Sequence, residues 1–232
     1  MKFKTLLTLV LTGILTLGFV GTAMADPSAS WNAGKGTAVI DGIKDEDYAG
    51  AQEMKMEAVS DGEADGTAAN AWAIYDAEAI YFIVEVADSE LDDANANVYE
   101  KDSVEFRFEN SGQLMQAYAV SESFDGTIAS EVKVLKTDVG YNVEFKVPYA
   151  AVEGESVLFT LQVNCAGGGK RNCTLHTNDD LKDAWQNDAV FETLVFSSGD
   201  APKTGVVSLG LFFGIGALAS AIGAGVLKKK EK

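Results

Sequence analysis

Short segments in which apolar and polar residues alternate recur along the chain. Residues 103–109 are the clearest case. Val104, Phe106 and Phe108 share one face and polar residues occupy the other, because successive side chains leave a strand on opposite faces. Glycine, aspartate and asparagine separate these segments, and such residues favour turns. We predict nine strands, at residues 37–41, 68–76, 79–87, 103–110, 114–121, 127–135, 141–148, 157–164 and 190–196. This pattern predicts an all-β fold, an antiparallel β-sandwich resembling a jelly roll.

The N-terminus has the pattern of a secretory signal peptide. Lys2 and Lys4 precede an apolar run over residues 6–20, and an A-M-A sequence follows at residues 23–25. A positive flank, a short apolar core and an A-x-A site predict a signal peptide over residues 1–25. The alternative, a membrane helix, is disfavoured because the run is short for a bilayer core.

The C-terminus has the pattern of a surface anchor. A PKTG motif in a linker over residues 197–205 precedes an apolar run over residues 206–227 and a basic tail over residues 228–232. The apolar run is long enough to span the membrane as a helix, at about 33 Å, and its lysines favour the cytoplasmic side. This order resembles a Gram-positive cell-wall sorting signal, which implies a sortase that cleaves between Thr204 and Gly205 and joins the protein to peptidoglycan. A plain membrane anchor is the alternative, and both place the body outside the cell.

The body, residues 26–196, is long enough for one domain with a core and is strongly acidic. Residues 26–204 contain 12 basic and 34 acidic side chains, a net charge of −22. Such a surface repels phosphate backbones, so we expect no nucleic-acid partner. It suits a surface protein that handles neutral ligands or binds calcium.

Catalytic motifs are missing from the sequence. There is a single histidine, His176, and there is no G-x-S-x-G, H-E-x-x-H or phosphate-loop pattern, so the sequence predicts no enzyme. A β-sandwich that holds haem through Met115 and His176 is an alternative. The residues disfavour it, because Met115 falls in a predicted strand and His176 in a polar segment.

One acidic segment is a candidate calcium loop. It contains Asp88, Glu90, Asp92 and Asp93 within six residues, and calcium prefers such oxygen ligands. The spacing is not that of an EF-hand. A structural calcium site and a solvated acidic loop are both open.

Two cysteines flank the sequence AGGGKRN. In a protein outside the cell, Cys165 and Cys173 predict a disulfide that closes a short loop, since oxidising compartments favour such bonds. The spacing does not match the redox-active C-x-x-C pattern.

Two aromatic residues lie in polar segments where nothing nearby in the sequence would bury them. They are Tyr99 and Trp185. Trp72, by contrast, alternates with Ile74 in a predicted strand and is expected in the core. Aromatic rings in loops stack on the apolar faces of sugar rings, although a neighbouring loop can also cover them.

The order of several motifs resembles the family 9 carbohydrate-binding modules. The motifs are IDGIKDEDY (40–48), IYFIVEVAD (80–88), YEKDSVEFRFE (99–109), GYNVEFKVP (140–148), FTLQVN (159–164) and AWQNDAVFETLVF (184–196). The resemblance runs from about residue 36 to residue 196 and implies a non-catalytic module. It also implies that two aromatics hold a sugar of a glucan or xylan chain, typically at its reducing end, while a carboxylate and an amide bind its hydroxyls.

The resemblance assigns this site to specific residues. The two aromatics, the carboxylate and the amide fall on Tyr99, Trp185, Glu105 and Gln162. Tyr118 and Val120 stand where the family has an arginine and a polar residue, and Lys182 lies near a family asparagine, which implies a different affinity or sugar. The family's structural calcium favours the acidic loop. A structural or adhesive surface protein with this fold and no sugar ligand is the main alternative.

Overall fold

The computed structural model describes residues 29–63, 66–109 and 114–198. Within these residues the chain forms thirteen strands and four short 3₁₀ helices and contains no α-helix. The strands are β1 (Ser30–Lys35), β2 (Met54–Met56), β3 (Ala58–Ser60), β4 (Ala68–Tyr75), β5 (Ala79–Ala87), β6 (Ser103–Phe108), β7 (Leu114–Tyr118), β8 (Ser123–Gly126), β9 (Glu131–Thr137), β10 (Gly140–Pro148), β11 (Ser156–Gly167), β12 (Lys170–His176) and β13 (Glu192–Phe196). The 3₁₀ helices are Glu46–Gly50, Val98–Glu100, Asp179–Asp183 and Asp188–Val190. The all-β prediction is confirmed for this part of the chain.

The predicted targeting segments lie outside the described residues. These are the signal peptide over residues 1–25, the PKTG motif with Thr204 and Gly205, and the anchor and tail over residues 206–232. In the ranges that are described, none of the helices is both long enough and apolar enough to cross a membrane.

Two sheets share β1 as a common strand. One has the order β8-β7-β6-β11-β13-β1 and the other the order β1-β4-β5-β10-β9. The first four residues of β1 pair in parallel with β13, and Gly34 and Lys35 pair in parallel with β4. The other ladders of the described residues are antiparallel. Among the described strands, the prediction of an antiparallel sandwich is therefore wrong only for the two ladders of β1, which passes from one sheet to the other.

The two sheets face each other across an aromatic core. Phe82 on β5 lies 4.9 Å from Phe106 on β6 and 5.7 Å from Phe159 on β11, measured between ring centroids. Phe145 on β10 lies 4.9 Å from Phe106. These rings come from the apolar faces that alternation predicts, and their meeting gives the fold its sandwich-like form.

The predicted strand at residues 37–41 is wrong, because this segment is a loop held by a buried carboxylate. The backbone N–H groups of Asp41 and Gly42 donate to Glu144 Oε2 at 2.9 and 2.8 Å, and the Tyr48 hydroxyl donates to Glu144 Oε1 at 3.1 Å. Burial raises the pKa of Glu144, although these three donors oppose the shift. Backbone groups that bind a side chain in this way are not available for a strand ladder.

The hairpin of β11 and β12 brings the two cysteines together. Cys165 lies directly opposite Cys173 in the ladder, and both side chains are buried. Directly opposite residues on antiparallel strands have Cβ atoms within about 5.5 Å of each other. This placement is compatible with the predicted disulfide, which stays a prediction.

Candidate functional site

The side chains on the polar face of β6 are largely buried, and this face does not meet bulk water as an ordinary solvent-exposed strand face would. Ser103, Glu105 and Arg107 share this face; Ser103 is fully buried and Glu105 is only 8% exposed. Glu105 lies opposite Gln162 on β11 and opposite Gln116 on β7. Opposite residues have Cβ atoms roughly 4.5–5.5 Å apart, so the carboxylate and the amide of the predicted site are neighbours.

A cavity of about 570 Å³ lies over this row of side chains. All four predicted sugar-binding residues, Tyr99, Glu105, Gln162 and Trp185, line it. The remaining lining residues are Asp61, Val98, Arg107, Leu114, Gln116, Arg171 and Lys182. Its size falls within the roughly 300–1,000 Å³ that is usual for small-molecule sites.

The two aromatic rings project from separate segments. Tyr99 belongs to the 3₁₀ helix Val98–Glu100 and is 49% exposed, whereas Trp185 follows the 3₁₀ helix Asp179–Asp183 and is 62% exposed. Both rings thus offer apolar surface to a ligand in the cavity. Aromatic rings provide a large apolar contact area.

Arg171 and Gln116 hold the segment that carries Tyr99. Arg171 Nη1 donates to the backbone carbonyl of Tyr99 at 3.3 Å, and its guanidinium carbon lies 5.8 Å from the centroid of the Tyr99 ring. Arg171 Nη2 forms an ion pair with Asp61 at 2.9 Å. Gln116 Nε2 donates to the carbonyl of Val98 at 3.0 Å. These contacts fix the backbone of Tyr99 from two sides, and the cation–π contact orients its ring.

Further hydrogen bonds fasten this loop to the β11–β12 hairpin. Gly169 N–H donates to Asp92 Oδ2 at 2.6 Å, and Asn95 Nδ2 donates to the Gly169 carbonyl at 2.6 Å. Asp102, fully buried, accepts from the N–H groups of Ala166 and Asp92, each at 2.6 Å. Hydrogen bonds to charged acceptors are stronger than those between neutral groups. Because these bonds join the loop of Tyr99 to the hairpin, the two segments together form one wall of the cavity.

A small separate core supports Trp185. Leu181, Ala184 and Phe191 are buried together. Asn178 caps the preceding 3₁₀ helix, where its side chain accepts from Asp180 N–H at 3.0 Å. The neighbours of Trp185 thus bury their own side chains and leave the tryptophan ring exposed.

Asn164 connects the polar residues beneath the cavity. It is fully buried. Its Nδ2 donates to Ser103 Oγ at 2.9 Å and to Glu105 Oε1 at 3.0 Å. Its Oδ1 accepts from Gln162 Nε2 at 2.7 Å and from Arg171 Nη1 at 3.4 Å. Sequence reasoning missed both Asn164 and Arg171. The alternation in FTLQVN offers a signal for Asn164, because it lies two residues after Gln162 on the same face.

Two positions at which the sequence departs from the family lie near the site. Tyr118 is buried, and its hydroxyl donates to Asp125 Oδ2 at 3.1 Å. Burial, together with this hydrogen bond, raises the pKa of Tyr118 to about 12. Lys182 lines the cavity directly.

The acidic loop uses its carboxylates internally. Asp88 Oδ1 accepts from Glu90 N–H at 2.9 Å, and both oxygens of Asp92 accept backbone N–H groups, which lowers the pKa of Asp92. Within the described part of the chain, no three His, Cys, Asp or Glu side chains are grouped so that they could hold a metal ion. Calcium binding by Asp88, Glu90, Asp92 and Asp93 stays a prediction, and this geometry does not favour it.

Met115 and His176, the two residues considered as haem ligands, lie in environments that do not suit haem binding. Met115 is fully buried in the core between the sheets. His176 lines a small cavity beside Ser60, where its Nε2 lies 3.1 Å from the Ser60 hydroxyl. Burial lowers the pKa of His176 to about 4. This arrangement does not fit a pair of axial ligands.

The structure thus combines an all-β fold with a cavity that two exposed aromatics and several polar side chains line. The chain belongs to the family described as carbohydrate family 9 binding domain-like, which it matches over residues 40–198. Membership of this family of non-catalytic modules confirms the prediction that the described domain is not an enzyme.

Two curated relatives are similar in sequence. The chain is 28% identical over 201 residues to exoglucanase XynX of Acetivibrio thermocellus, across 77% of this chain and 18% of that protein. It is 30% identical over 191 residues to endo-1,4-β-xylanase A of Thermoanaerobacterium saccharolyticum, across 74% of this chain and 16% of that protein. The chain therefore spans less than a fifth of the length of these relatives.

The fold is also similar to that of a solved structure. This is a family 9 carbohydrate-binding module from Caldicellulosiruptor kristjanssonii in complex with cellotriose, with a TM-score of 0.65 and 22% identity over 73% of this chain and 94% of that one. A second structure of a family 9 module from the same organism contains glucose and gives the same TM-score.

Proposed function

We propose that this domain binds a saccharide by clamping one sugar ring between Tyr99 and Trp185. The observation that carries the proposal is that four residues singled out in four separate segments, Tyr99, Glu105, Gln162 and Trp185, line one cavity. Two of them present exposed rings, and the other two present polar groups on neighbouring strands. This combination of apolar and polar surface matches a sugar ring, which has both.

The polar groups supply the hydrogen bonds that such a ligand needs. Glu105 uses Oε1 for Asn164, which leaves Oε2 to accept from sugar hydroxyls. Gln162 has an amide that both donates and accepts. Hydrogen bonds to a carboxylate are stronger than those between neutral groups, so Glu105 contributes most of the polar binding energy.

A glucan or xylan is the proposed ligand class. The support comes from the relatives: an exoglucanase and a xylanase contain related segments, and the similar modules of Caldicellulosiruptor kristjanssonii hold cellotriose and glucose. A module of this kind assists the capture or degradation of polysaccharide by an enzyme that acts beside it.

Calorimetric titration of the purified protein with cellotriose and xylotriose tests this function. We expect Trp185→Ala to weaken binding by about tenfold or more, as the loss of a central aromatic contact does in other interfaces. Phe124→Ala is the matched control, because Phe124 is a 40% exposed ring on β8 that does not line the cavity. Unchanged binding in Trp185→Ala would refute the clamp, and the lack of binding to any sugar would refute the function.

We also propose that the domain is displayed on the cell surface through the C-terminal segments. The support is the sequence order of the PKTG motif, the apolar run over residues 206–227 and the basic tail. Fractionation of cells tests it. Sortase attachment predicts that Thr204→Ala moves the protein from the wall fraction to the membrane fraction. A protein found in the membrane fraction with or without this substitution would indicate a plain anchor instead.

A further inference from the structure

The cavity carries positive charge in a chain that is otherwise acidic. The chain has a net charge of −17, yet both of its arginines, Arg107 and Arg171, line this cavity together with Lys182. The acidic lining residues are Asp61 and Glu105. The cavity lining therefore has one more positive than negative charge, opposite in sign to the whole chain.

One of these cations already has its partners. Arg171 forms an ion pair with Asp61 at 2.9 Å and donates to the carbonyl of Tyr99 and to Asn164. Its role is to hold the wall of the cavity. Of the cations that line the cavity, Arg107 and Lys182 are therefore the two that are available to bind a ligand.

Arg107 lies on the cavity face of β6 and lines the cavity. Among the ion pairs formed within the described residues, none involves Arg107 or Lys182. The residues opposite Arg107 in the ladders are Thr160 on β11 and Leu114 on β7. Thr160 Oγ1 is buried, and no other group of the described residues forms a hydrogen bond with it. Thr160 does not line the cavity, so the half-buried guanidinium of Arg107 is the group on this part of β6 that an anionic ligand would contact.

The spacing along β6 separates this subsite from Glu105. Glu105 and Arg107 are two residues apart on one face, which is about 7 Å along a strand. A ligand can thus place a hydroxyl at Glu105 and an acidic group at Arg107 without bringing two carboxylates together. Lys182, on the segment that carries Trp185, adds a second attractive charge.

We propose that the preferred ligand is an acidic oligosaccharide that carries a uronate carboxylate, with the carboxylate bound by Arg107. The planar guanidinium pairs with a planar carboxylate through two parallel hydrogen bonds. The local positive charge draws such a ligand into the cavity although the rest of the surface repels it. The inference rests on the proposed saccharide function and adds the chemical class of the sugar.

Calorimetry on the purified full chain tests this preference with matched sugars. The probes are xylotriose and xylotriose that bears one glucuronic acid branch, and glucose and glucuronic acid. At 50 mM NaCl we expect the acidic sugar of each pair to bind about tenfold more tightly, which is the effect of one charged hydrogen bond. At 0.5 M NaCl the preference should shrink, because salt screens the attraction.

Substitutions identify the group responsible. Arg107→Gln keeps much of the aliphatic stem and should abolish the preference, which is measured as the ratio of the affinities for the acidic and the neutral sugar in the same variant. Lys182→Gln should reduce the preference in part. Lys133→Gln is the control, since Lys133 is an exposed cation on β9 of the other sheet, and it should change neither affinity.

The outcomes separate this inference from the proposed function. If neutral and acidic sugars bind equally, or if the preference survives in Arg107→Gln at full size, the uronate subsite is wrong and saccharide binding stands. Tighter binding of glucose 6-sulfate than of glucuronic acid would overturn the assignment to a carboxylate. If no sugar binds, the proposed function itself fails. The salt dependence of the unmodified protein gives an answer even if Arg107→Gln does not fold.

Discussion

Replacing Asn164 by alanine should damage both the stability and the binding of this domain. Asn164 is fully buried and bonds to Ser103, Glu105, Gln162 and Arg171. The substitution removes all four hydrogen bonds at once. It also leaves the 8% exposed carboxylate of Glu105 without this amide donor.

The expected loss of stability follows from these contacts. The bonds to Ser103 and Gln162 are neutral and contribute about 1 kcal/mol each, and the bond to the Glu105 carboxylate contributes about 1.5–3 kcal/mol. The contact with Arg171 is long, at 3.4 Å, and adds little. We therefore expect the free energy of unfolding to fall by about 3–5 kcal/mol. A domain of this size has about 5–15 kcal/mol in total.

Binding should weaken although Asn164 does not line the cavity. Without this residue Glu105 and Gln162 lose the partner that fixes their orientation, so we expect the affinity for cellotriose to fall about tenfold, equivalent to about 1.4 kcal/mol. Urea denaturation measures the stability and calorimetry the affinity. Asn142→Ala is the control, since the Asn142 side chain, on β10 of the other sheet, makes one hydrogen bond with the described residues, to the Gly42 carbonyl at 3.0 Å. It should cost about 1 kcal/mol and leave binding intact.

Two results would refute this reasoning. A loss of less than about 1 kcal/mol in Asn164→Ala would show that the network contributes no more than a single hydrogen bond. A large loss of stability with unchanged affinity would show that Asn164 supports the fold without positioning the ligands.

Three further predictions follow from single side chains. Glu105→Gln should lower sugar affinity about tenfold, whereas Glu109→Gln, on an exposed residue of the same segment, should leave it unchanged in the same titration. Burial lowers the pKa of His176 from 6.5 to about 4. Below pH 6.5 the unfolded chain therefore binds a proton that the folded protein does not, and the free energy of unfolding falls as the pH drops from 6.5 towards 4. Between pH 7.5 and pH 4.5 the unmodified protein should therefore lose about 2–3 kcal/mol more than His176→Gln in urea denaturation, and equal losses would contradict the effect of burial. Glu144→Ala leaves three donors without their acceptor and should cost about 3–6 kcal/mol, while Glu57→Ala, on an exposed side chain, should have little effect on the urea midpoint.

Alternation predicts the strands well where their partners share the core. The prediction for β5, residues 79–87, coincides with the observed strand, and β6 and β7 begin at the predicted residues. Such strands bury one face, so apolar and polar residues alternate in their sequence. The strands that sequence reasoning missed, β1, β2, β3, β8 and β12, are short or mostly polar.

Long-range contacts explain the remaining differences in the fold. The segment at residues 37–41 has the composition of a strand, yet Asp41 and Gly42 bind Glu144, more than 100 positions later in the sequence. The parallel pairing of β1 with β13 likewise joins the two ends of the domain. A local pattern contains no information about such partners.

The residues of the candidate site also divide into those that the sequence predicts and those that depend on long-range contacts. Tyr99 and Trp185 are predicted because exposed aromatics stand out in polar segments, and the family resemblance adds Glu105 and Gln162. Arg171 is not predicted, because it acts on a backbone carbonyl and on a ring that lies 72 positions earlier. Such supporting residues become visible only when the loops are placed beside each other.

A crystal structure of the protein with bound cellotriose tests the central claim most directly. We predict that one glucose ring lies between the rings of Tyr99 and Trp185, with Glu105 within hydrogen-bond distance of its hydroxyls. The claim would be contradicted by a sugar bound elsewhere on the sandwich, or by a cavity that stays free of sugar at saturating cellotriose.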